Sequence, residues 1–469
     1  MVFSSPIFLF GFLPAFLALS YLTPTRWRNL TILIGSYIFY GWWRIDFLGV
    51  FVLVTWWNYA VGQRIVAAVD DPRKQSILLV GVAGDLLVLG YFKYFNFGVD
   101  SFNALMGYAG NDPVGLWSVI LPIGISFYTF QAISYLIDVR RGDAPAATNL
   151  IDFAAFIALF PQLIAGPVLR YKDLVDQFTD RVHSFALFSA GAKRFAIGLA
   201  MKVIVADSVA PLADQAFALE APTAAEAWLG ALAYTIQLFF DFAGYSAMAI
   251  GLGLMMGFRF MENFDNPYFS QSITEFWRRW HMSLSAWLRD YLYISLGGNR
   301  KGKVRTYVNL LATMVLGGLW HGANWTFVLW GAWHGAILAI ERACGVNANL
   351  NAPRAYGRVL LTLVFVVLGW VMFRAESVDG AFAMYAGMFG ANGWEISPDV
   401  AWRIKMSEIA FIVIGALVAT LMFHQSRRSE LATPDGRRML GDVGAMLLIP
   451  ICAAKVAALS YSPFLYFQF

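Results

Sequence analysis

Apolar runs long enough to cross a bilayer recur from one end of this 469-residue chain to the other. They fall at 5–22, 29–44, 46–63, 75–92, 115–138, 185–210, 226–257, 306–320, 324–341, 357–374, 407–424 and 439–458. A bilayer core offers no water to backbone N–H and C=O groups, so each run must satisfy them internally as a helix. A further apolar stretch, 150–169, contains Pro161, Gly166 and Pro167. It reads as a broken or re-entrant helix, tolerated at membrane depth only where protein or a water-filled cavity satisfies the irregular backbone. Only 14% of the residues are charged and 59% are hydrophobic, against roughly 25% charged in soluble domains. That excludes a soluble multidomain enzyme. The expected fold is one all-α polytopic membrane domain over 1–469, with about 11–12 transmembrane helices plus re-entrant and interfacial helices.

Basic residues in short loops set orientation. Arg26 and Arg28 follow the first run, Arg64, Arg73 and Lys74 the third, and Arg140 and Arg141 the fifth. Gly297–Arg305 and 427–438 are also basic. This alternation places those loops in the cytosol and the N-terminus outside; Arg44 departs from it but is accompanied by Asp46. No Lys or Arg precedes the first run, so it reads as a retained span rather than a secretion signal. Seventeen Trp and twenty Tyr suit the two lipid–water interfaces. The net charge of +4 is dispersed and points to cytosolic loops, not nucleic acid. Cys344 and Cys452 give neither a disulfide framework nor a metal-ligand spacing.

The chain has five histidines, and one lies at the end of an apolar run in Gly317-Gly318-Leu319-Trp320-His321-Gly322-Ala323-Asn324. A proton-exchanging group at membrane depth is a functional candidate by default. Thr306 to His321 is fifteen residues of helix, about 22 Å of rise, so His321 lies beyond the midplane as seen from the cytosol. Burial keeps an imidazole neutral, the form a general base needs; the plainer reading is a hydrogen bond between helices. Trp320 and Asn324 flank it as lining candidates, and His334 in the next run reads as packing.

Thr274–Ile294 places Trp277, Trp280, Leu284, Trp287, Leu288 and Tyr291 at helical spacing, with Arg278, His281, Ser285 and Arg289 on another face. This predicts an interfacial amphipathic helix, with a Glu275–Arg279 pair at i,i+4 and His281 either lining an entrance or simply solvated. Gly297-Gly298-Asn299-Arg300-Lys301-Gly302-Lys303 resembles a phosphate cradle in composition, with Arg300, Lys301 and Lys303 as weak donor-binding candidates, but lacks the Walker spacing. The plainer reading is a positive-inside loop. Asp241, inside an apolar run, orients a catalytic group, lines a polar passage, or bonds a Tyr, Ser or Arg of a neighbouring helix. His183 and His424 lie near span ends, with nothing around them to suggest chemistry.

Gln237–Gly298 and Gly317–Asn324 resemble the membrane-bound O-acyltransferase family, and within it the bacterial branch that acetylates exopolysaccharides. The resemblance extends through Met1–Ser5, Leu121–Tyr128, Asp138–Asp143 and Pro161–Pro167, and covers most of 1–345. It implies a ring of membrane helices around a thinned centre with a funnel from each face. His321 matches the family's histidine and His281 its second polar position. It also implies acetyl-CoA as cytosolic donor with no bound cofactor, an inner-membrane location with a periplasmic N-terminus, and periplasmic SGNH-type acetyltransferase partners carrying a serine nucleophile. The final acceptor would be an exopolysaccharide, alginate foremost, with cellulose acetylation or teichoic acid D-alanylation as alternatives. Ala243 and Ala247 stand where relatives often carry Ser and Asp, leaving Asp241 as the one carboxylate of that motif. A reading of another class, a polysaccharide or lipid transporter or flippase, also accommodates broken helices and an intramembrane Asp, but no paired inverted repeat is evident.

Overall fold

The computed structural model describes residues 1–164, 166–346, 348, 350, 353–428 and 436–458. Among them are helices and connecting segments and no strand. Among the described residues, four helices are long and apolar enough to cross a membrane: Asp71–Tyr108, Phe185–Phe217, Ala224–Met255 and Tyr356–Arg374. The other expected spans are wholly or partly helical, but none of them meets that measure. Arg28–Gly41, for example, has 14 residues and rises only about 21 Å.

Two expected boundaries move. The run expected to end at 92 continues to Tyr108 through a wider π-type turn at Gly90–Tyr94. The run expected from 115 becomes helical only at Ile125. Pro113, Gly115 and Pro122 precede it, and Gly124 takes φ +75° at its start, a backbone conformation that suits glycine. The stretch 150–169 is broken as expected, into Leu150–Ala158 and Phe160–Leu163. Apart from helical backbone at its ends, the basic stretch 427–438 lies outside the described residues, as does the side chain of His424.

The chain forms two compact units. The first comprises Met1–Gly191 and Leu252–Met261. Its charged loop residues pair locally: Arg44 with Asp46, and Arg140 with Asp71 at 2.6 Å. Inside it, Asn58 Nδ2 donates to Asp85 at 2.7 Å across two packed helices.

The second unit comprises Ala192–Gly251 and Glu262–Phe469 and holds both candidate histidines of the site. Its long helix Ala224–Met255 opens on a reciprocal cap: Thr223 N–H donates to Glu226 at 2.9 Å, and Glu226 N–H to Thr223 Oγ1 at 3.4 Å. Gly198 and Gly244 let two helices touch, since a Cβ at Gly198 would meet the Gly244 carbonyl at 2.5 Å. One turn from that crossing, Lys202 Nζ reaches Asp241 at 2.7 Å and Asp207 at 2.8 Å.

The hairpin of Lys303–His321 and Trp325–Ala343 is the most extensively packed pair of helices. Gly318 sits under the Phe327 carbonyl and Gly331 under the Met314 carbonyl. Small residues at the seam let the two backbones approach, as in other membrane helix pairs.

Candidate active site

His321 is the last residue of Lys303–His321. Gly322 is extended, and Asn324 starts the next helix by accepting the Thr326 N–H at 3.0 Å. Asn324 Nδ2 donates to the Glu376 carbonyl at 3.0 Å. Asn324 therefore caps a helix and ties it to a neighbouring segment, a job the lining expectation did not foresee. The short turn fixes His321 at a helix end instead of mid-helix.

The His321 side chain is 5% exposed. Its ring meets Trp320, Trp330 and Phe373 edge-on at centroid distances of 5.1, 5.2 and 5.3 Å, contact distance for aromatic pairs. Phe327 backs this wall, 5.0 Å from Phe373 and against Gly322. Three rings thus hold the imidazole in one orientation.

The expected amphipathic helix over Thr274–Ile294 is not continuous. Helix Ile273–Trp277 ends, the chain turns through Arg278–His281, and helix Met282–Trp287 begins anew. His281 adopts φ +43°, sparsely populated for a residue with a Cβ and a feature that clusters at functional sites. Its side chain is fully buried, so the solvated-face reading is overturned. Phe242 packs edge-on against it at 4.7 Å, and Trp320 and His321 lie at 6.1 and 6.3 Å. The break turns the imidazole inward beside His321, where an unbroken helix would have pointed it with Arg278 and Arg289.

The segment is held at both ends of its first helix. Glu341 accepts from the Ile273 and Thr274 amides at 2.7 and 2.8 Å, a carboxylate at a helix N-terminus. Glu275 pairs with Arg279 at 2.9 Å, as expected, and also with Arg354 at 2.6 Å. Burial raises the Glu275 pKa, but hydrogen bonds from Gln271 N–H, Arg354 and Arg279 outweigh it and hold the carboxyl below its usual value. Arg279 further binds Asp265.

Asp241 is buried and pairs with Lys202 of a neighbouring helix, a residue not among the Tyr, Ser or Arg partners expected for an interhelical bond. Its neighbour Phe242 reaches His281, so the motif contributes to the site through packing. His334 packs between Trp277 and Trp330 at 5.4 and 5.1 Å, as expected of a packing residue. Arg300, Lys301 and Lys303 are exposed. The free amides of a phosphate cradle are missing at three positions: Gly297, Gly298 and Arg300 N–H groups donate to the Ile294, Tyr293 and Gly297 carbonyls. The turn is a basic loop that closes on its own backbone.

Sequence reasoning missed Asn263, Lys202, Glu341 and Arg354. Lys202 carried a usable signal, an ionisable side chain inside the run 185–210. Asn263 carried none, because its contact with His281 spans 18 residues of irregular chain.

The arrangement is a buried, ring-walled histidine with a second buried imidazole beside it, in a multi-pass membrane protein. A family model for membrane-bound O-acyltransferases matches residues 141–379, a stretch that contains His281 and His321. The probable alginate O-acetylase AlgI of Pseudomonas putida is 56% identical, with 100% of both chains covered. That of Azotobacter vinelandii is 53% identical over the same full coverage. The peptidoglycan O-acetyltransferase of Helicobacter pylori is 32% identical over 100% of this chain and 98% of its own. This chain belongs to the membrane-bound O-acyltransferase family, and it is an acyltransferase. The transporter reading falls with that membership.

Proposed function

We propose that the chain O-acetylates an exopolysaccharide, alginate, from a donor on the cytosolic side of the bacterial inner membrane. The observation that carries this is similarity to alginate O-acetylases along the whole chain, at 50–56% identity. The teichoic acid D-alanyltransferase of Streptococcus thermophilus, by comparison, matches over 45% of this chain.

Acetyl-CoA is the proposed donor. His321 takes the proton of the acceptor hydroxyl as its oxygen attacks the thioester carbonyl. The carbon–sulfur bond breaks, the new ester forms, and the departing thiolate regains the proton. A neutral imidazole, desolvated among Trp320, Trp330 and Phe373, is suited to accept it. The continuous helix from Lys303 to His321 supports a site far in depth from the loop 297–305, and the alternation of basic loops supports a cytosolic side for that loop and a periplasmic N-terminus. Periplasmic partners with a serine nucleophile would finish the transfer to sugar.

The test is a gene deletion with plasmid complementation, scored by alginate yield and by O-acetyl content of the purified polymer. Normal yield without acetyl groups is the expected result. Unchanged acetylation in the deletion overturns the proposal. Loss of O-acetyl groups from peptidoglycan in place of alginate favours the second reading, which the full-length similarity to a peptidoglycan O-acetyltransferase motivates.

A further inference from the structure

Three hydrogen-bonding groups converge on the Asn263 side-chain oxygen. The Ser283 N–H approaches it at 3.3 Å, the Ser283 hydroxyl at 2.8 Å, and His281 Nδ1 at 3.0 Å. A backbone N–H can only donate, so the atom facing it is the amide oxygen and not the amide nitrogen. That oxygen has no proton to give. The Ser283 hydroxyl donates to Asn263 at 2.8 Å, while the ring nitrogen lies farther from it, at 3.5 Å. His281 Nδ1 must therefore carry the ring proton, which leaves Nε2 with a bare lone pair.

Nε2 is buried and has no hydrogen-bond partner among the described residues. A buried polar atom without a partner is costly, and this one belongs to a ring 6.3 Å from that of His321. The backbone enforces the same geometry. Met282 N–H donates to the Asn263 carbonyl at 2.9 Å, and the left-handed turn at His281 brings Nδ1 back onto Asn263.

We infer that Asn263 is a positioning residue, which holds His281 as its Nδ1–H tautomer so that Nε2 receives a hydrogen bond from the hydroxyl-bearing acyl acceptor. The reacting hydroxyl gives its proton to His321, and a neighbouring N–H or O–H group of the same acceptor donates to His281. The two imidazoles then do not compete for one proton. The acceptor half of this inference rests on the proposed function; the tautomer does not.

Two measurements separate the halves. Nitrogen NMR of the ¹⁵N-histidine-labelled protein in detergent reads the tautomer, with His281→Gln identifying the resonance. The wild type should show a protonated Nδ1 and an unprotonated Nε2. Asn263→Asp should keep that state, because a carboxylate oxygen also accepts, and Asn263→Ala should lose it. A protonated Nε2 in the wild type overturns the inference, even if Asn263→Ala fails to fold. In acetyl transfer assays, Asn263→Ala should lose about tenfold in kcat, the size of one hydrogen bond, at unchanged donor KM, and Asn263→Asp should recover most of it. Equal losses in both folded variants would make Asn263 merely structural. No acetyl transfer by the wild type, with the tautomer intact, would count against the proposed function alone.

Discussion

Gly318 rests directly under the Phe327 carbonyl: a β-carbon there would lie 2.1 Å from the oxygen and 3.1 Å from its carbon. The obstruction is backbone, which cannot swing aside. Overpacking of this kind costs about 1–3 kcal/mol, occasionally more, and the strain falls three residues from His321. Gly318→Ala should lower the melting midpoint of the purified protein and most of its acetylation activity. Gly357→Ala, where nothing lies within 4 Å, should change neither. Full activity in Gly318→Ala would mean that the hairpin seam does not set the histidine's position.

The buried Lys202 makes a second test of packing. It bonds Asp241 and Asp207 while itself only 3% exposed. Removing one partner of a buried ion pair costs about 3–5 kcal/mol, because the other charge stays uncompensated. Lys202→Met should therefore melt well below the wild type. Lys202→Met with Asp241→Asn should melt above the single variant, since one stranded charge is gone. Additive losses in the double variant would show that the two side chains are not coupled.

The hairpin and its histidine were legible because their signals are local. An apolar run, glycines at 317, 318 and 322 and a lone His at the run's end are all read within eight residues. The break before His281 was not legible. Trp277, Trp280, Leu284 and Trp287 keep a helical period straight across it, and no Gly or Pro marks the turn. Tertiary contacts override the period here: Glu341, 67 residues away, fixes the start of the first helix, and Asn263 captures the imidazole after it. The Lys202–Asp241 pair is equally non-local, two apolar runs meeting at a Gly–Gly crossing that periodicity does not register.

Arg300 and Lys301 are exposed on a turn whose amides are partly taken up by its own carbonyls, and Lys303 is exposed at the start of the helix that follows. What remains to act on an anionic donor is side-chain charge, which governs encounter and affinity more than chemistry. Replacing all three by Gln should raise the KM for acetyl-CoA and leave kcat nearly unchanged. A fall in kcat at constant KM would refute that division. The same loop reports topology. Lys301→Cys, in a background with the exposed Cys344 changed to Ser, should react with an impermeant thiol reagent only after the cells are opened. Labelling of intact cells would reverse the orientation.

His321 itself bears the most direct test. If it is the general base, its contribution is typically 10²–10⁴-fold in rate. His321→Ala should remain in the membrane and leave the polymer without acetyl groups, though it opens space beside Trp330 and Phe373. His321→Gln is the sharper variant, since it fills much of that space and keeps a hydrogen-bonding end, yet an amide cannot take the proton. It should fail as completely as Ala. His334→Gln, in a ring packed on Trp277 and Trp330 away from the proposed proton transfer, should keep most activity. The readout is O-acetyl content of purified polymer, normalised to membrane protein. Near-normal acetylation in His321→Gln would show that the site needs a hydrogen bond and not a proton acceptor, and the base assignment would move to the bare Nε2 of His281.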